Sequence, residues 1–119
     1  MGNAAALVFP IDWPEPFGLV LIEAMACGTP VVAYPFGSVP ELVDHGKSGF
    51  LVEDIPAAVS MVKKIDEIDR AGCRHVFEDR FTAARMAADY VALYTQLISE
   101  ETAPLESEFS GTSEAEQKP

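Results

Sequence analysis

Three short apolar runs, Ala4 to Phe9, Val31 to Tyr34 and Gly49 to Val52, are each followed by a stretch of helical periodicity. Bounded apolar runs that lack alternation fit strands buried on both faces of a parallel sheet. A strand, a loop and a helix repeated in that order predict an α/β fold with about three parallel strands flanked by helices. With 119 residues and 49% hydrophobic content, the chain has room for one domain with a modest core and not for a second.

The first helix is predicted over residues 18 to 27. It is apolar nearly all round (Leu19, Val20, Leu21, Ile22, Met25), so it is expected to be largely buried, and Gly28 with Pro30 beyond stops it. Ser38-Val39-Pro40-Glu41 has the S-x-x-E spacing of a capping box and predicts a second, short helix ending near His45 and Gly46. Asp54 ahead of Pro56 marks a third start, with Ala58, Val59, Val62, Ile65 and Ile68 at helical spacing. Residues 69 to 80 read as a polar helix, and Thr82 as the cap of a final, C-terminal helix of about four turns. There Ala83, Met86, Ala87, Tyr90, Val91, Tyr94, Leu97 and Ile98 form an apolar stripe that calls for a docking surface. Past Glu101 the composition turns to Glu, Ser, Thr and Pro. The domain is therefore set at residues 1–101, and residues 102–119 are expected to be a disordered acidic tail.

The formal net charge is -11, of which six Glu and one Lys between residues 100 and 119 account for -5. Only seven Lys and Arg stand in residues 1 to 99. No basic stripe is available for counterion release, so nucleic acid and anionic membrane surfaces are excluded as expected partners. Cys27 and Cys73 have neither CxxC spacing nor metal-knuckle context, which makes reduced cytosolic thiols the default. No run approaches a membrane span and no secretory signal is present, so a cytoplasmic location is expected.

Ligands of open α/β sheets collect at the C-terminal edge of the strands, where Asp12-Trp13-Pro14-Glu15-Pro16-Phe17-Gly18 joins the first strand to its helix. Pro16 keeps Glu15 out of the helical region and Pro14 stiffens the approach, so the carboxylate is presented from a rigid loop. A solvated turn residue fits the same description. The helix lacks an obvious Ser, Thr, Asp or Asn cap, which leaves N–H donors near Phe17, Gly18 and Leu19 to receive a phosphate or ordered water. Glu23 lies in the second turn, where a buried carboxylate needs donors. Either a neighbouring basic group supplies them or the vicinal hydroxyls of a ribose do.

The stretch from Glu15-Pro-Phe-Gly through Glu23-Ala-Met-Ala-Cys-Gly-Thr-Pro to Ala33 resembles the E-x7-E signature of family 4 retaining glycosyltransferases of GT-B fold. Gly-Ser-Val-Pro-Glu41, followed by His-Gly-Lys-Ser-Gly-Phe-Leu-Val52, is similar to the segment that comes next in that family. The resemblance covers roughly residues 4 to 98. It implies half of a Rossmann-like, nucleotide-sugar-binding domain. Glu15 would contact hydroxyls of the donor sugar as the catalytic-site residue, amides near Phe17, Gly18 and Leu19 would meet the diphosphate or sugar, and Glu23 would bind the ribose. It further implies retaining transfer of a hexosyl-type sugar by front-face attack, with a nucleoside-diphosphate sugar as donor substrate, no cofactor and no required metal. Glu15 is not expected to act as a covalent nucleophile, because a nucleoside diphosphate leaves without the protonation a glycosidase must provide.

Ser38 stands where family members commonly carry a second Gly, although some branches have the Ser. Glu41 reads as a helix cap, His45 and His75 as surface or loop histidines, and Lys47 as a solvated turn residue. The Arg and Lys that clamp the diphosphate in the family, and the acceptor domain, come before the first strand. The missing half is therefore expected either as a separately encoded N-terminal acceptor domain or as a part lost by truncation, and the isolated chain is expected to be inactive. The resemblance also leaves the edge of the first strand unpaired, open to self-association. The alternative is a non-catalytic module that binds sugar nucleotides or pairs with another chain.

Overall fold

The computed structural model describes residues 1–109, with side chains described up to residue 101. Strands β1 (Leu7–Phe9), β2 (Val31–Ala33) and β3 (Gly49–Leu51) form one parallel sheet in the order β1-β2-β3. Leu7, Val8 and Phe9 pair with Val31, Val32 and Ala33, which pair in turn with Gly49, Phe50 and Leu51. Between the strands run α1 (Leu19–Ala26) and α2 (Val39–Leu42). After them come α3 (Ile55–Val62), a single 3-10 turn (Ile65–Glu67) and α4 (Arg70–Arg80). These elements make one compact unit, Met1–Thr82.

Alternation along the strands divides the core in two. Leu7, Phe9, Val31, Ala33 and Leu51 pack with Leu21, Ala24 and Met25 of α1 and Val76 of α4. Val32, Phe50 and Val52 pack with Ile65, Ile68 and Cys73, and with Ala57, Ala58 and Met61. Gly49 is required by its register, because a Cβ there would collide with the carbonyl of Val31. The central strand β2 is buried throughout, as expected, but β1 is not. Lying at the sheet edge, it leaves Val8 half-exposed over an apolar groove of about 540 Å³ bordered by Tyr34, Ile55, Val59 and Val62.

Two helix starts behave as their sequences predict. Asp54 takes an extended conformation and its Oδ1 accepts from the Ala57 amide at 2.7 Å. Asp69 accepts from the amides of Ala71 and Gly72 at 3.1 and 3.0 Å. Other expectations are corrected. Helix α1 buries only Leu21, Ala24 and Met25, because a helix lying against a sheet turns one side to it and the other to solvent. The Ser38 capping box does not form. Ser38 has helical dihedrals and makes no side-chain cap bond, and α2 ends at Leu42 instead of near His45. Helix α3 stops at Val62, and the chain re-enters the core through Ile65 and Ile68 on the 3-10 turn, leaving Val59 and Val62 exposed.

Three arginines of α4 tie distant backbone together. Arg70 donates to the carbonyls of Ala4 and Gly2, Arg74 to that of Ala26, and Arg80 to that of Glu41, with Asp44 as an ion-pair partner at 3.0 Å. Both cysteines are free thiols. Cys27 is exposed and Cys73 buried, where desolvation, opposed by the nearby Arg70, pushes the Cys73 thiol above its ordinary range.

A second unit begins at Ala83 with α5 (Ala83–Phe109), which carries Met86, Tyr90, Val91, Leu93, Tyr94, Leu97 and Ile98 as exposed apolar side chains. The helix runs well beyond the expected four turns. Its residues 102–109, Pro104 among them, fall in the segment 102–119 read as an acidic tail. The remainder of that tail, 110–119, lies outside the described residues. Among the described residues no helix is long and apolar enough to cross a membrane.

Candidate functional site

Strands β1 and β2 deliver two loops side by side at the C-terminal edge of the sheet, residues 10–18 and residues 34–38. The first ends at Gly18, which has φ +82 and stands buried at the N-terminus of α1. That left-handed conformation suits glycine, and a Cβ there would also come within 3.0 Å of Leu21 Cδ1. The bend turns the loop so that the side chain of Glu15 reaches forward to the helix it precedes. Its Oε1 accepts from the Gly18 amide at 3.1 Å and lies 3.5 Å from the amide of Phe17.

This geometry modifies the expectation of an uncapped helix start. Of the donors near Phe17, Gly18 and Leu19, the Gly18 amide is engaged by Glu15, and that of Phe17 at the outer limit of a hydrogen bond. The next amides, Leu19 and Val20, have no acceptor among the described residues. Sequence reasoning missed this because Glu carboxylates seldom cap from three residues before the glycine. The signal was the spacing of Glu15 to Gly18, across a proline that keeps the intervening chain from winding into helix.

Glu23 was expected to be buried and is exposed instead; its carbonyl accepts from the Cys27 amide at 3.2 Å, while its carboxylate has no hydrogen-bond partner among the described residues. Positions 19, 23 and 27 recur at helical spacing, and Leu19, Glu23 and Cys27 are all exposed along one side of α1. The structure therefore joins the predicted residues in two groups. Glu15, Phe17 and Gly18 meet through hydrogen bonds, and Leu19 and Glu23 share a helix side. No contact links the two carboxylates.

The neighbouring loop supplies a part that the sequence reading assigned elsewhere. Ser38 donates its backbone N–H to the carbonyl of Glu15 at 2.9 Å and its hydroxyl to the carbonyl of Phe17 at 2.7 Å. Gly37, at φ +59, lies so close to the Glu15 backbone that a Cβ there would run into its N and O atoms. Trp13, Phe17 and Phe36 stand half-exposed on the same loops. No Lys or Arg occurs in residues 1 to 30, so no cation of the first loop or of α1 faces this carboxylate. His45 is a loop residue, as expected: its Nδ1 accepts from the Leu51 amide at 3.0 Å and its ring meets Phe50 edge-on.

The family model described as "Glycosyl transferases group 1" matches residues 1–80. The D-inositol 3-phosphate glycosyltransferase of Geodermatophilus obscurus is 40% identical over 103 residues, which cover 82% of this chain and 23% of that protein. Among solved structures, sucrose-phosphate synthase from Thermosynechococcus elongatus superposes with a TM-score of 0.68 at 35% identity, over 82% of this chain and 26% of its own. Anabaena HepE in complex with UDP superposes with a TM-score of 0.67 at 26% identity, over 80% of this chain and 28% of its own, and the same protein is also solved with UDP-glucose. The chain thus spans about a quarter of the length of these relatives.

Proposed function

Because the chain belongs to the glycosyl transferases of group 1, we propose that it is the donor-binding part of a retaining, hexosyl-transferring enzyme that uses a nucleoside-diphosphate sugar. In the proposed reaction the bond from the sugar's anomeric carbon to the diphosphate oxygen breaks. A bond from that carbon to an acceptor hydroxyl oxygen forms on the same face, the hydroxyl proton passes to the departing diphosphate oxygen, and the nucleoside diphosphate is released with it. The protein's task in such a step is positioning and stabilising the charge that builds on the diphosphate, and no metal is given a part in it.

The single observation that carries the reading is the arrangement at the start of α1. There a carboxylate on a stiff loop shares a helix N-terminus with the open amides of Leu19 and Val20. Helix starts with free N–H groups accept phosphate. Glu15 accepts from an amide through the same oxygens that would accept from sugar hydroxyls, so an arriving donor would exchange the Gly18 amide for a hydroxyl pair. The freed amide then joins those of Leu19 and Val20 in facing the diphosphate. Glu23, exposed one turn beyond Leu19, is placed to accept from ribose hydroxyls without the burial cost that the sequence suggested. The UDP and UDP-glucose complexes of HepE, a structure of similar fold, support a donor of that class.

Basic residues for the diphosphate and the acceptor site are assigned to the length that the relatives have beyond this chain. Transfer is accordingly proposed for the chain combined with a separately supplied acceptor domain, and donor binding for the chain alone. Two free thiols agree with the cytoplasmic location that belongs to the same proposal. Ligand-observed NMR with UDP-glucose and the 119-residue chain is the test. Binding by the wild-type chain that weakens in Glu15→Ala and in Glu23→Ala is expected. Equal signals from all three would overturn the assignments, and no binding by the wild type would overturn the function.

A further inference from the structure

The peptide between Phe17 and Gly18 is held at both ends. Its N–H donates to the Glu15 carboxylate at 3.1 Å, and its carbonyl accepts from the Ser38 hydroxyl at 2.7 Å. Because a trans peptide is planar with its N–H and C=O pointing in opposite directions, fixing the carbonyl also fixes where the N–H points. The Ser38 backbone N–H holds the carbonyl of Glu15 itself at 2.9 Å, and Gly37 presses against the same residue's backbone with no room for a side chain. Two residues of the loop after β2 thus set the course of the loop after β1.

We infer that Ser38 is a positioning residue of the donor site, resting on the function proposed above. It holds the Phe17–Gly18 peptide so that the Gly18 amide keeps its direction when the Glu15 carboxylate turns away to the sugar. Before that exchange the peptide plane has two restraints; afterwards the Ser38 hydroxyl is the one left among the described residues. A glycine or alanine at this position would keep the N–H bond to the Glu15 carbonyl and lose the hydroxyl bond to Phe17. The hydroxyl that the sequence places in a capping box therefore works across the loops, which explains why Ser38 makes no cap bond to its own helix.

The test compares Ser38→Ala and Ser38→Thr with the wild-type 119-residue chain. Ser38 has helical dihedrals that alanine and threonine both adopt, and threonine retains the hydroxyl. Titration with UDP-glucose is expected to give about threefold to tenfold weaker binding for Ser38→Ala, the range for one lost hydrogen bond. Ser38→Thr should stay within about twofold of the wild type. Without ligand, the Gly18 amide should exchange faster with solvent in Ser38→Ala, with amides of β2 and β3 unchanged. That local effect separates positioning from a general loss of stability. Wild-type binding with an unaltered Ser38→Ala, or an unaltered Gly18 exchange rate in that variant, overturns this inference alone. Failure of the wild type to bind overturns the functional reading, and this inference with it.

Discussion

Helices α1 and α3 start at the same edge of the sheet, each after a parallel strand, yet their first turns are finished in different ways. At α3 the cap is Asp54, extended and adjacent to the helix, with its carboxylate on the Ala57 amide at 2.7 Å. At α1 the residue in that position is a left-handed glycine, and the carboxylate comes from Glu15, three residues earlier, onto the glycine's own amide at 3.1 Å. The Asp54 arrangement closes a helix end for stability. The Glu15 arrangement leaves the amides of Leu19 and Val20 open and keeps its carboxylate on a separate loop that a neighbouring strand's loop holds in place. The contrast distinguishes a structural end from one able to exchange partners.

The sharpest way to break the contrast is to remove the support of the Glu15 loop. Gly37→Ala forces a residue at φ +59 and drives a Cβ into the Glu15 backbone, and it is expected to lower stability by about 3 kcal/mol in urea unfolding. Gly46→Ala has φ +80 with nothing within 4 Å of the new Cβ, so it measures the conformational cost alone, about 1 kcal/mol. Equal costs for the two variants would mean that the loops after β1 and β2 are not pressed together as described.

Glu15→Ala is next in size, and its effect is on ligand. Removing a carboxylate that would accept from sugar hydroxyls is expected to weaken UDP-glucose about tenfold to a hundredfold, since bonds to charged groups contribute about 1.5–3 kcal/mol. Asp54→Ala should leave the same titration unchanged and lower stability by about 1 kcal/mol in urea unfolding. If Asp54→Ala weakened UDP-glucose as strongly, the two helix starts would not differ in kind.

Much of this contrast could be read from residues, and the unreadable parts have physical causes. Asp54 announces its helix because a cap is a local device whose donor and acceptor lie within three residues. Gly28 and the three apolar runs give the parallel order for the same reason, since strand and helix periods are local. Glu15 was found from its two prolines and its place at the sheet edge, but its bond to Gly18 depends on the left-handed turn. Ser38 and Glu41 matched a capping box by spacing, yet the loop after β1 supplies a carbonyl that the hydroxyl prefers, a long-range fact. Glu23 looked buried because its neighbours in sequence are apolar, whereas burial is decided by which side of α1 meets the sheet. The isoleucines at 65 and 68 kept helical spacing while the chain between them and α3 changed direction at Val62.

The smallest expected effect sharpens the contrast most directly. Glu15→Ala should lower stability by roughly 0.5 kcal/mol, less than Asp54→Ala, although both remove a carboxylate from a helix N-terminus. Asp54 bonds the third amide of α3, a donor that the helix itself leaves unmatched. Glu15 bonds the glycine before α1 and leaves Leu19 and Val20 unmatched in the wild type already, so its removal adds one open amide to an end that is open in any case. Urea midpoints of the two variants, measured side by side, decide the matter. A Glu15→Ala cost equal to or above that of Asp54→Ala would make Glu15 chiefly a cap, and a carboxylate committed to holding its own helix would be a poor receiver for sugar hydroxyls.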